Sequence, residues 1–250
     1  MKKRSKAIKN TLLVSVFILL LGVLSVLGYY AYHGYEMYSS AIEEKSVSDM
    51  AANIKKRCRF VEYDDLPEFY VNAVIAAEDQ RFWKHSGIDI FAICRAVLHD
   101  IKVMSPEQGG STITQQLAKN EFFTQEKKLE RKFAEAFMAF RIEKSFSKKE
   151  IFALYVNSIY FGSGYYGIDS AAKGYFGKEV SELSDYECAM LAGLPNAPSA
   201  YSPDVLSEFA VRRTAIVIAK MEKADYITEG EAAELISDME QNGSADQIVY

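Results

Sequence analysis

Three groups of residues in this chain have the types and spacing that chemistry needs. In AVIAAEDQRFWKH, Ala73 to His85, an apolar run leads straight into Glu78 and Asp79. A carboxylate at the lip of an apolar helix is partly desolvated, which raises its pKa toward the working range of a general base. Asp79 points about 100° away on a helix and suits a capping or orienting role. The plain alternative makes both of them solvated acids. In GGSTITQQLAKN, Gly109 to Asn120, a helix starting near Ser111 puts Thr112, Gln115, Gln116 and Lys119 on one face, while Ile113 and Leu117 turn to a core. Hydroxyls and amides bind sugar hydroxyls without demanding a charge, and Lys119 can meet a phosphate. A solvated polar face is the simpler account. In KKLERKFAEAF, Lys127, Lys128, Arg131 and Lys132 form the densest basic cluster beyond the N-terminal tail, and Lys132 and Glu135 reach across one helical turn. A surface salt bridge would explain that pair. A carboxylate flanked by cations is also what a reaction expelling a phosphate requires.

Such residues must be held by helices, and the hydropathy pattern supplies them. NAVIAAEDQRF reads as one helix, and GIDIFAICRAVLHDIKVM as another with Ile90, Ile93, Val97 and Ile101 at spacings of three and four. Pro106, Gly109 and Gly110 break the chain in SPEQGGS. Leu129, Phe133, Phe137 and Phe140 make an apolar stripe on a long helix from Glu126 to Lys144. Ser147 with Glu150 is a capping-box pattern opening a helix in which Ile151, Leu154, Tyr155 and Ile159 face inward, and similar boxes occur at Ser184/Glu187 and Thr228/Glu231. Pro195, Pro198 and Pro203 interrupt the helices with a surface loop. Alternating strands are few, and the expected class is mainly α.

The 250 residues, 49% of them hydrophobic, suffice for one sizeable domain or a large lobe with a small one. The net charge of −5 hides an asymmetry: Lys2, Lys3, Arg4, Lys6 and Lys9 stand in an acid-free tail, leaving 24 basic against 34 acidic side chains elsewhere. That balance argues against nucleic acid as a partner. Cys58, Cys94 and Cys188 are too scattered for a disulfide scaffold; Cys94 and Cys188, with apolar neighbours, read as buried small hydrophobes. The three histidines lack metal-ligand spacing.

No Asp, Glu, Lys or Arg occurs between Lys9 and Glu36, and the apolar core from Thr11 to Tyr32 is long enough, at about 1.5 Å per residue, to cross a bilayer of about 30 Å. A cleaved signal peptide is the alternative, with Val26-Leu27-Gly28 as its cleavage site, but the apolar run is long for one, and Tyr29, Tyr30 and Tyr32 resemble an interfacial belt. The basic tail then places the N-terminus in the cytoplasm and the rest outside. The expected division is a cytoplasmic tail (1–10), a transmembrane helix (11–32), a juxtamembrane stalk (33–65) and a catalytic domain (66–250).

AEDQRFWKHSGID, GGSTITQQLAKN, ERKFAEA, KKEIFALYVNSIYFG and AAKGYFGK occur in the order of the five motifs of the peptidoglycan glycosyltransferases, or transglycosylases, whose module also forms the N-terminal half of class A penicillin-binding proteins. The resemblance covers about Leu66 to Pro203. Fewer than fifty residues follow, so it points to the monofunctional type, although a piece of a longer bifunctional protein would read the same. It implies a lysozyme-like helical domain with a small membrane-proximal lobe, and polymerisation of lipid II into glycan strands through inverted β-1,4 links with release of undecaprenyl pyrophosphate. Glu78 would be the general base. Glu135 would assist departure of the pyrophosphate, directly or through a divalent cation (Mg2+ or Mn2+), with Lys119, Arg131 and Lys132 binding it. Ser111, Thr112, Gln115 and Gln116 would line the sugar site, and Phe82, His85, Asn157, Tyr160 and Gly162 would be architectural. The implied partners are lipid II, the growing glycan strand, the membrane and the transpeptidases of the cell-wall machinery. Ala134 departs from the pattern, since many relatives carry a basic residue there; Lys127 or Lys128 would compensate. VMSPEQGGS would form a flexible flap, and Phe122 and Phe123 would either dip into the bilayer or pack in the core. A lytic enzyme on a lysozyme-like scaffold and a silent cell-wall scaffold are the competing readings.

Overall fold

The computed structural model describes residues 2–103, 109–124, 128–198 and 207–242. Pro106 of the expected SPEQGGS break, Lys127 and much of the proline-rich loop lie outside them, whereas Gly109 and Gly110 fall in a non-helical stretch before the next helix.

The first helix, α1, runs unbroken from Lys2 to Glu44, and its stretch from Leu12 to Glu44 is long and apolar enough to cross a membrane. Ser46 restarts the chain. Its hydroxyl accepts from the Asp49 N–H at 3.0 Å while its own N–H donates to the Asp49 carboxylate, opening α2 (Val47–Arg57). Val47, Met50, Ala51 and Ile54 recur at spacings of three and four, and all are buried. The segment expected as a stalk therefore contributes a helix to the core, because it carries an apolar face that the domain covers.

Two helices are apolar nearly all round and lie inside. In α3 (Glu68–Glu78), Tyr70, Val71 and Ala73 through Ala77 are buried; in α7 (Lys148–Ser158), every residue from Ile151 on is. Between them in sequence come α4 (Ile90–Val103), α5 (Ile113–Phe122) and α6 (Leu129–Ser145). A short antiparallel hairpin follows, β1 (Tyr160–Gly162) with β2 (Tyr165–Tyr166), then α8 (Ile168–Phe176), α9 (Asp185–Gly193), α10 (Ser207–Lys223) and α11 (Glu229–Asn242). The chain is mainly helical, as expected. α3 packs against α9 and α10, α5 against α6 and α7, and α1 against α6. The boxes at Ser147/Glu150, Ser184/Glu187 and Thr228/Glu231 all form.

Asn157 holds the chain after α2 onto α7. Its side-chain oxygen accepts from the Val61 N–H at 2.9 Å, and its amide donates to the Val61 and Ala153 carbonyls at 2.8 Å. Gly167, at φ +81°, follows the hairpin where a Cβ would lie 2.8 Å from the Asn157 carbonyl oxygen.

Two apolar stripes lie away from the core. On α4, Ile90, Ile93 and Val97 are exposed, and among the residues whose burial is described only Ala96 is buried; Ile101 lies outside them, and Cys94, expected to be buried, is exposed. On α6 the core receives Ala134, Met138, Ala139 and Ile142, while Phe133 and Phe137 turn toward α1. Phe122 and Phe123 pack against the core.

Candidate active site

The apolar helix α3 ends at Glu78, and Asp79 anchors that end. Its carboxylate accepts from the Ile113 N–H at 3.1 Å and from His85 Nε2 at 2.9 Å, while His85 Nδ1 accepts the Gly87 N–H. The neutral tautomer with its proton on Nε2 satisfies both contacts. Asp79 thus ties the end of α3 to the start of α5, fixing Glu78 against the next motif.

The start of α5 is another capping box. Thr112 Oγ1 accepts from the Gln115 N–H at 3.1 Å and donates to the Gly87 carbonyl at 2.6 Å, and Gln115 Oε1 accepts the Thr112 N–H. Both side chains are buried, with their polar atoms engaged in the cap and with Gly87. One turn on, Gln116 Nε2 donates to Glu78 Oε2 at 2.8 Å, and Gln116 Oε1 accepts from the hydroxyl of the buried Tyr155 at 3.1 Å. This fixes which way round the amide stands. Glu78 Oε1 is buried and accepts no hydrogen bond among the described residues.

On α6, Glu135 is fully buried between two cations: Arg131 Nε at 3.0 Å from Oε1 and Lys132 Nζ at 2.7 Å from Oε2. Arg131 also donates to the Thr124 carbonyl, and Lys132 to Ser111 Oγ at 3.1 Å, which brings α6 to the mouth of α5. Lys119 stands in the field of both carboxylates. Burial lowers its pKa most; Glu135 and, more weakly, Glu78 raise it, while Lys132 and Arg131 lower it. Glu78, Ser111, Gln116, Lys119, Arg131, Lys132 and Glu135 therefore form one site.

Two cations absent from the sequence expectations join them. Arg213 of α10 places Nη2 3.5 Å from Glu78 Oε1, and its Nε donates to the Gly193 carbonyl. A Cβ on Gly193 would lie 2.9 Å from Arg213 Cγ, so the glycine leaves room for the arginine's stem. Lys220 donates to the Ala77 carbonyl at 2.6 Å, and burial lowers its pKa, with Arg213 adding to the effect and Glu78 opposing it. The sequence did carry a signal: Arg213 and Lys220, seven apart, share one helical face beside the buried stripe Ala210, Thr214, Val217 and Met221. Five cations about Glu78 and Glu135, in an otherwise acidic chain, make a local field that favours a polyanion.

A family model described as Transglycosylase matches residues 44–222, which hold every site residue named above. Penicillin-binding protein 1A of Aquifex aeolicus is 49% identical over 184 residues, covering 74% of this chain and 25% of that protein. Penicillin-binding protein 1A of Neisseria flavescens is 47% identical over 174 residues, covering 70% and 22%. The chain spans about a quarter of the length of these curated relatives. A solved structure of penicillin-binding protein 1A from Haemophilus influenzae aligns with 50% of this chain and 15% of its own at 30% identity, with a TM-score of 0.36, too low to bear on the fold.

Proposed function

Since this chain belongs to the transglycosylase family, we propose that it polymerises lipid II into peptidoglycan glycan strands, with Glu78 as the general base and the cations of α5 and α6 receiving the diphosphate. The observation that carries this reading is the joining of the two halves: Gln116 and Lys119, one turn apart on α5, face Glu78 at one end and the Glu135 cluster at the other.

In the reaction, the acceptor sugar's 4-hydroxyl loses its proton to the Glu78 carboxylate. The hydroxyl oxygen attacks the donor's anomeric carbon from the face opposite the lipid diphosphate. The new C–O bond forms as the bond to the phosphate oxygen breaks, which inverts the centre to a β-1,4 link and expels undecaprenyl pyrophosphate. Charge developing on that oxygen meets Lys119, Arg131 and Lys132, already in place and partly shielded from water. Glu135 holds Arg131 and Lys132 toward the diphosphate. Ser111 and Gln116 face the sugars. A lytic enzyme expels a neutral sugar hydroxyl and has no use for such a cation set.

A divalent cation at the pyrophosphate would find Glu135 as its carboxylate ligand on α6. Both oxygens of Glu135 are already paired with Arg131 and Lys132, so the residues do not fit a metal site without rearrangement, and no step above passes through one. We place the N-terminus in the cytoplasm, on the strength of Lys2, Lys3, Arg4, Lys6 and Lys9 before the apolar helix, and the catalytic domain outside, where transpeptidases would cross-link its product. Purified chain supplied with lipid II in vesicles tests the reading: long glycan on a gel supports it, and shortening of preformed glycan without polymer formation replaces it with a lytic activity.

A further inference from the structure

The outer end of the membrane helix is built into the catalytic helix. Gly34 is buried where α1 crosses α6. A Cβ there would lie 2.5 Å from Phe133 Cβ, 2.7 Å from the Glu130 carbonyl oxygen and 3.1 Å from the Ala134 nitrogen. The two backbones therefore touch, an approach that small residues permit between helices. At Gly22 and Gly28 of the same helix a Cβ would meet nothing within 4 Å. The Tyr35 and Tyr38 rings pack on Phe137 with centroids 5.6 and 6.1 Å apart. Beyond α1, Lys45 donates to the Glu121 carbonyl and lies over the Phe122 ring, fastening α1 to the end of α5 as well.

The Gly34 contact spans Glu130 to Ala134, the turn that carries Arg131 and Lys132 and leads into Glu135. A side chain at position 34 must push this turn away from α1, and with it the three groups that meet the diphosphate. A displacement of about 1 Å in such a group costs about 100-fold in rate.

We propose that Gly34 is a positioning residue, which makes the membrane helix the mount that sets the pose of Arg131, Lys132 and Glu135. The proposal rests on the glycosyl-transfer reading above. It is tested with the full chain in vesicles containing lipid II, following polymer formation alongside folded fraction by circular dichroism. Wild type and Gly28→Leu polymerise at the same rate. Because the displaced groups act on charge that develops in the transition state, Gly34→Leu loses about 100-fold in kcat with KM changed less than about twofold, at an unchanged folded fraction. Gly34→Ala falls between. Equal activity of Gly34→Leu and Gly28→Leu, high or low, overturns the proposal, as does a loss confined to KM or one matched by unfolding. No polymer from the wild type overturns the glycosyl-transfer reading instead.

Discussion

Arg213 Nη2 lies 3.5 Å from Glu78 Oε1, joining the helix that follows the proline-rich segment to the first motif of the site. The guanidinium faces the carboxylate assigned to the proton, on the side opposite the Gln116 hydrogen bond to Oε2. Arg213→Ala should lower kcat by about 10- to 100-fold, in the range for losing one oriented polar group at a reacting centre. Arg213→Lys, which keeps the charge but not the fork, should recover part of it. Steady-state polymerisation of lipid II by the two variants, at matched folded fraction, is the check, and full activity of Arg213→Ala removes the residue from the site.

Replacing Glu78 by Gln keeps the shape and removes the base. Polymerisation should fall by about 100- to 10,000-fold, the usual contribution of general acid–base catalysis. Thermal unfolding should move little, since Gln116 can still hydrogen-bond the new amide. Normal turnover by Glu78→Gln would end the assignment.

Lys119 supplies a pH test. Burial lowers its pKa from the ordinary 10.5, so it loses its proton at a lower pH than an exposed lysine. If its cation meets the diphosphate, kcat/KM declines on the alkaline side as pH rises through that lowered value. Lys119→Arg, which stays charged beyond about pH 12, should carry activity to higher pH. Identical alkaline limbs for the two proteins would contradict the role.

The Glu135 cluster should show unequal costs. Lys132 is half-exposed, and Lys132→Ala leaves Arg131 to balance the carboxylate, so the loss should fall on the reaction rather than the fold. Arg131 is buried beside Glu135, and Arg131→Ala should also destabilise by about 1–3 kcal/mol, because it leaves Glu135 Oε1 buried without its cation and only the half-exposed Lys132 to balance the carboxylate. Thermal melts and single-turnover rates of both variants separate the two effects.

Asn157 touches no substrate in this account, yet it satisfies both polar groups of Val61. Asn157→Ala should cost about 2–3 kcal/mol through unsatisfied buried groups. A thermal melt reads this directly, and an unchanged midpoint would show that the segment after α2 finds other partners.

Local patterns carried most of the fold. Capping boxes were readable because both partners lie three residues apart, and the position of Glu78 at the end of a buried helix because an apolar run ended on it. Properties set by distant packing were not. The stripe on α6 has helical spacing whichever neighbour covers it, and nothing in Phe133 or Phe137 says that α1, a hundred residues earlier, is that neighbour. The stripe on α4 likewise has core spacing but lies uncovered. The cap that Thr112 and Gln115 form was not legible, because hydroxyl and amide look alike in a sequence whether they meet a ligand or cap a helix. Arg213 escaped because its partner is distant in sequence and the space for its stem comes from the missing side chain of Gly193.

The unbroken course of α1 also fixes a geometry for substrate encounter. With the bilayer boundary near Tyr32, as proposed, the twelve residues from His33 to Glu44 rise about 18 Å as a helix above the headgroup plane and set the height at which the domain is held. On the proposed reading, donor and enzyme share one lipid sheet and meet by two-dimensional diffusion. Turnover should then track the surface density of substrate, and diluting the lipid-linked sugar with inert phospholipid at constant bulk concentration should slow the reaction as effectively as withholding it.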